Sequence, residues 1–149
     1  MSISTRRFMR SAGGSGGGAR LYLAPASGSY SNGGTLVVEI REDSGANAVN
    51  AVQANLTYPT GQLSFQSTSI VGGAFTTAIE NTGGSGTVRL GVALLAGSVT
   101  GDQLVGTVTF DIVGAGSAAI AFDTGSGVAR FSDSADICDQ KDGGSYTIN

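Results

Sequence analysis

Residues Val49–Phe65 read VNAVQANLTYPTGQLSF. Val52, Ala54, Leu56 and Tyr58 fall on one side of an extended strand, and Gln53, Asn55 and Thr57 fall on the other. A period of two marks a strand with one buried face. Pro59–Gly61 then turns the chain, and Leu63 and Phe65 open a second short apolar run.

The same pattern repeats on both sides of this unit. Leu21–Ala24 reads as the first strand and Pro25–Gly34 as a turn-rich connection. Thr35–Arg41 (TLVVEIR) puts Leu36, Val38 and Ile40 on one face, and Glu42–Asn47 turns. Leu63–Ile70 and Ala74–Asn81 are read as strands. Thr87–Leu95 alternates with Val88, Leu90 and Val92 inward and Arg89 outward. Ala96–Asp102 is a loop with room for one helical turn. Leu104–Val113 is the longest clean run, with Leu104, Gly106, Val108, Phe110 and Ile112 on one face. Ala118–Asp123, Val128–Ser132 and Ser145–Asn149 complete the set. Nine or ten short strands with turn signals at regular spacing predict an all-β sandwich. No helical pattern separates the strands, as a parallel βαβ fold would require.

A chain of 149 residues suits one domain. Glycine is abundant at 25 residues while charged residues are only 13%, a composition of tight turns rather than of disorder. Charge is unevenly placed. Residues 1–20 carry Arg6, Arg7, Arg10 and Arg20 and no acid; residues 21–149 carry four bases and all eleven acids, a net of −7. The expected organisation is a flexible, basic, Gly-rich N-terminal arm over 1–20 and a β-sandwich domain over 21–149. In the arm, Arg6, Arg7, Phe8, Met9 and Arg10 are the candidate partner-binding residues, Phe8 and Met9 as apolar anchors. Three arginines are too small an electrostatic footprint to predict nucleic-acid binding.

Several chemistries are excluded by what the chain contains. It has no histidine, which removes Ser-His and Cys-His catalysis and every His-containing metal site. Its one cysteine, Cys138, reads as a small, partly buried residue near a strand end. There is no tryptophan, and the four tyrosines are scattered rather than set in a row for sugar stacking. The late acids lie in turn-like sequence, where aspartate serves local hydrogen bonds. Asp133, Asp136 and Asp139 are candidate oxygen ligands for calcium, in a spacing that matches no EF-hand. Neither an enzyme nor a cofactor is expected. Asn55-Leu56-Thr57 fits the N-glycosylation sequon and is read as coincidence, because no standard signal peptide precedes it. No stretch is apolar and long enough to span a bilayer.

Four motifs carry a family likeness: VNAVQANLTYPTGQLSF, TVRLGVAL, GDQLVGTVTFDIVGAGSAAIAF and VARFSDSADI. In their order and landmarks, residues 21–149 resemble the cohesins, which share a jelly-roll sandwich with the scaffoldin-type carbohydrate-binding modules. Tyr58 is followed by Pro59 where cohesins carry an aspartate. The resemblance implies a jelly-roll sandwich and a non-catalytic module. It also implies a sheet face, built from the strands matching Val49–Tyr58 and Thr87–Leu94, that receives a dockerin. On this chain the outward residues of that face are Gln53, Asn55, Thr57, Thr87 and Arg89.

Two roles follow as expectations. In the first, arm and sheet surface attach the domain, as a homo-oligomer, to the protein subunits of a larger assembly. The basic arm and the missing signal peptide point there to a phage or virus capsid decoration or another virion surface protein. In the alternative, the domain is an adhesion or scaffold module at a bacterial cell surface, binding a host-surface protein or a glycan.

Overall fold

The structure is a computed structural model and describes residues 18–149. Twelve strands form two sheets, with no helix among the described residues. In chain order they are β1 (Ala19–Ala24), β2 (Ser27–Tyr30), β3 (Thr35–Asp43), β4 (Val49–Thr57), β5 (Leu63–Ser69) and β6 (Thr77–Gly84). There follow β7 (Thr87–Ala93), β8 (Asp102–Ile112), β9 (Gly116–Phe122), β10 (Gly127–Arg130), β11 (Cys138–Asp142) and β12 (Gly144–Ile148). One sheet has the order β11-β1-β3-β8-β5. The other runs β2-β12-β9-β4-β7-β6, and β10 also pairs with β4. The chain changes sheets between β1 and β2, at the cis Ala24–Pro25 bond.

The predicted period holds in the stretch that decides the fold. Val52, Ala54, Leu56 and Tyr58 are all buried, and the Tyr58 ring sits 5.0 Å from that of Phe110 in the facing sheet. Leu36, Val38 and Ile40 from β3 and Val88, Leu90 and Val92 from β7 join the same core. Sheets pack this way because each has one apolar face that only another sheet can cover.

Four departures from the sequence reading have physical causes. Two strands, β2 (SGSY) and β11 (CDQKD), exceed the nine or ten expected. Both lie at sheet edges and pair in parallel, β2 with β12 and β11 with β1. The backbone ladder orders them, and neither carries the apolar alternation that marks a strand in sequence. Second, β1 begins at Ala19, inside the stretch assigned to the arm; Ala19 is buried and Arg20 is paired in register with Asp43. Third, the apolar face of β8 changes phase. Ile40 faces Gly106 but Arg41 faces Leu104, so Val105 is an extra residue in the ladder. This bulge turns Val105 into the core and leaves Leu104 only half-buried, reversing the expected inward Leu104. Fourth, β6 starts at Thr77 rather than Ala74, and Phe75 is fully buried from the loop ahead of it. The 96–101 loop holds no helical turn; Val99 forms an isolated bridge to Val49 instead. Arg6, Arg7, Phe8, Met9 and Arg10 lie outside the described residues, as do all of residues 1–17.

Candidate functional site

The outer face of β4, β7 and β6 carries a connected polar row. Register sets Gln53 opposite Gly91, and Gly91 opposite Glu80. Gly91 leaves the space between them open: a Cβ there would lie 2.6 Å from Gln53 Oε1. Over that gap Gln53 Nε2 donates to Glu80 Oε1 at 2.9 Å and to Asn55 Oδ1 at 2.7 Å. Arg89 Nε donates to Glu80 Oε2 at 3.0 Å, completing an ion pair. The Arg89 guanidinium holds the Glu80 carboxyl below its ordinary value. Thr57 and Thr87, opposite each other in the next rung but one, are exposed. Beside this row lies a shallow cavity of about 260 Å³, bordered by Ala51, Gln53, Gly91, Ile79, Gly127 and Asp136. Ile79, at 71% exposure, stands proud of the surface. The face therefore offers an apolar knob, a charged pair and a dent. It brings no nucleophile and base together.

Asn55 departs from the expected face. Its alternation points it outward, yet it is only 3% exposed, because the β9–β10 loop crosses over it. β9 pairs with β4 at Leu56 and Thr57, and β10 pairs with it from Val49 to Gln53. The backbone of Asn55 falls in the gap between these two ladders. Ser126 fills the gap: Asn55 N–H donates to Ser126 Oγ at 2.9 Å, and that hydroxyl donates to Asn55 O at 3.1 Å. Asp123 N–H adds a bond to the same carbonyl at 2.9 Å. One side chain thus replaces a missing ladder rung. Ser126→Ala leaves a buried N–H unpaired and is expected to lower stability by about 1–3 kcal/mol. Urea denaturation followed by fluorescence or circular dichroism would read this as a lower midpoint at unchanged slope. The asparagine of the sequon is thus buried in the folded domain.

The arrangement of the sheets can be compared with known proteins. No family model and no curated protein matches the sequence. Solved structures do match. CaCohA2 of Clostridium acetobutylicum, in its complex with a CaDoc0917 variant, superposes with a TM-score of 0.74 at 17% identity, over 88% of this chain and 99% of that one. The third ScaB cohesin of R. flavefaciens, in complex with a group 1 dockerin, gives 0.72 at 16% identity, over 89% and 96%. A non-cellulosomal cohesin of the archaeon Archaeoglobus fulgidus gives 0.67 at 18% identity, over 89% and 91%. The chain has the cohesin fold. At these identities the likeness is one of fold.

Within this cohesin-fold domain, four of the five sheet-face residues expected from sequence, Gln53, Thr57, Thr87 and Arg89, lie together on the outer surface of β4 and β7. Sequence reading missed Glu80 and Ile79. Both sit on β6, where a register shift between Ala78 and Glu80 breaks the alternation that would have marked them.

The three aspartates considered for calcium are not gathered into a site. Asp133 is held by Arg130, at 3.0 Å from Nε and 2.7 Å from a terminal nitrogen, which pulls its carboxyl down to about 2. Asp136 Oδ1 accepts from the backbone N–H groups of Val128 and Cys138, clamping β10 to the start of β11. Asp139 Oδ2 accepts from Gly18 N–H at 3.2 Å. Each carboxylate serves a separate backbone or guanidinium partner, and no metal-binding group of three acids or thiols forms among the described residues. Cys138 is partly buried at the first position of β11, and burial pushes its thiol up.

Proposed function

We propose that this domain is a non-enzymatic module that binds a protein partner on the outer face of β4, β7 and β6. The observation that carries the proposal is the fold of the face itself. Exposed Thr57, Thr87 and Arg89 sit with Ile79 and the Gln53–Glu80 pair on one side of a cohesin-type sandwich. The R. flavefaciens relative is described in complex with a dockerin, and a dockerin-type module is the first partner to test. This supports the scaffold or adhesion reading over the capsid-decoration reading. The latter rested on residues 1–20, nearly all of them outside the described part of the chain. An extracellular or cell-surface setting fits the scaffold reading, and the partner class is protein rather than glycan.

The test is calorimetric titration of the full chain with a panel of calcium-loaded dockerins. Thr57→Arg, which adds bulk at an exposed position of the face, is expected to weaken a partner that binds wild type by about 30-fold, corresponding to loss of one central contact. Its melting temperature should stay unchanged. A partner that binds both proteins equally would move the interface elsewhere, and silence across the panel would overturn the dockerin assignment.

A further inference from the structure

Glu42 is the one acid in the described chain whose side chain is wholly enclosed. It is 0% exposed and no well-formed hydrogen bond reaches either carboxylate oxygen, although the Ser44 hydroxyl close by partly favours the charged form. Its position follows from the period of β3. Leu36, Val38, Ile40 and Glu42 share one parity, so carrying the strand to Asp43 drives Glu42 to the core side. In the sheet it is flanked by Leu21 of β1 and Gln103 of β8. The cations nearby are committed elsewhere. Arg41 bonds Glu39 and Asp102, Arg20 bonds Asp142, and Arg130, paired with Val49 in the facing sheet, bonds Asp133. Lys141, on β11 in register with Leu21, is exposed. Tyr22, across from Arg41, donates to Asp102. The remaining charged neighbours are Asp43 and Asp102, both anionic. Burial first, then Asp43 and Asp102, outweigh the opposing Ser44 hydroxyl and hold the Glu42 carboxyl up at about 7 against an ordinary 4.5.

The segments next to Glu42 join the two sheets. Ser44 N–H donates to Gly101 O and Gly101 N–H to Gly45 O, while Val49 and Val99 exchange both their bonds. Ser44 is itself fully buried. These ties fix the start of β4 to the end of β3.

We propose that Glu42 is a proton-operated latch for this end of the sandwich: with the carboxyl protonated the 44–49 and 99–101 segments stay closed, and with it ionised they loosen. A charge shut away from water without a full set of partners is far costlier than a neutral acid in the same place, and the ties beside it are what yields to admit water. The sign follows from which state holds the proton. Between pH 4.5 and about 7 the native chain keeps a proton that the unfolded chain has released. Stability contributed by this group is therefore full below 4.5, falls as pH rises through that window, and is lost above it.

The experiment compares the full chain with Glu42→Gln by melting at pH 5 to 8. It adds a carboxyl-carbon NMR titration of wild type, which needs no variant to fold. The wild-type folding constant is expected to fall by about 70-fold between pH 5 and pH 8, with the Glu42 carboxyl titrating near neutrality. Glu42→Gln should lack this fall. At pH 8 the amides of Val49, Val99 and Gly101 should exchange faster in wild type than in Glu42→Gln. A Glu42 carboxyl titrating at its ordinary 4.5, or equal protection of those three amides in the two proteins, would overturn the latch.

Discussion

Leu56→Asp is expected to abolish cooperative folding. Leu56 is fully buried one residue from the end of β4, between Val88 of β7 and Phe122 of β9. The substitution removes the apolar burial of a leucine, about 2–3 kcal/mol. It also puts a carboxylate where neither a partner nor water is at hand, which adds several kcal/mol more. Together these reach the 5–15 kcal/mol by which a domain is ordinarily stable. Circular dichroism at 25 °C should show no thermal transition. Thr57→Arg, one residue on and facing outward, should melt like wild type. A cooperative, wild-type-like melt for Leu56→Asp would mean that β4 sits one residue out of register.

The second large effect is expected at a residue outside any strand. Phe75 is fully buried although it belongs to the connection between β5 and β6. Ala74 N–H, just before it, donates to Leu104 O, tying this loop to the β8 bulge. Phe75→Ala should cost about 3–5 kcal/mol, because the ring's burial is lost and the cavity it leaves closes only in part. Phe75→Leu keeps most of the volume and should cost less than about 1.5 kcal/mol. Urea midpoints of the two variants against wild type measure the difference. Equal midpoints for wild type and Phe75→Ala would mean that the loop does not seal the core.

These two residues differ in how they announce themselves. Leu56 is legible because its neighbours at 52, 54 and 58 share its parity, and parity is a local property of a strand. Phe75 has no such neighbours. Its burial is a consequence of where the β5–β6 connection closes over the sandwich. Glu42 lies between these cases. Its parity with Leu36, Val38 and Ile40 was present in the sequence, but a charged residue ahead of a Ser-Gly turn reads as the turn itself. Asn55 fails in the opposite sense. Its parity is outward, as read, but a loop further along covers it and supplies Ser126, 71 residues on, to its backbone.

The sequence by itself determined an all-β sandwich, the inward register of β4, β3 and β7, and the absence of histidine-based chemistry. It also turned Gln53, Thr57, Thr87 and Arg89 outward on their own strands. Each depends on composition or on a period of two within one segment. Tertiary structure alone decided the parallel edge strands β2 and β11, the Val105 bulge, the Glu80–Arg89–Gln53 link, the dispersal of Asp133, Asp136 and Asp139, and the enclosure of Glu42. Those depend on which segments meet, and a hydrogen bond or an enclosing wall supplied from elsewhere in the chain leaves no periodic trace in the residues that receive it.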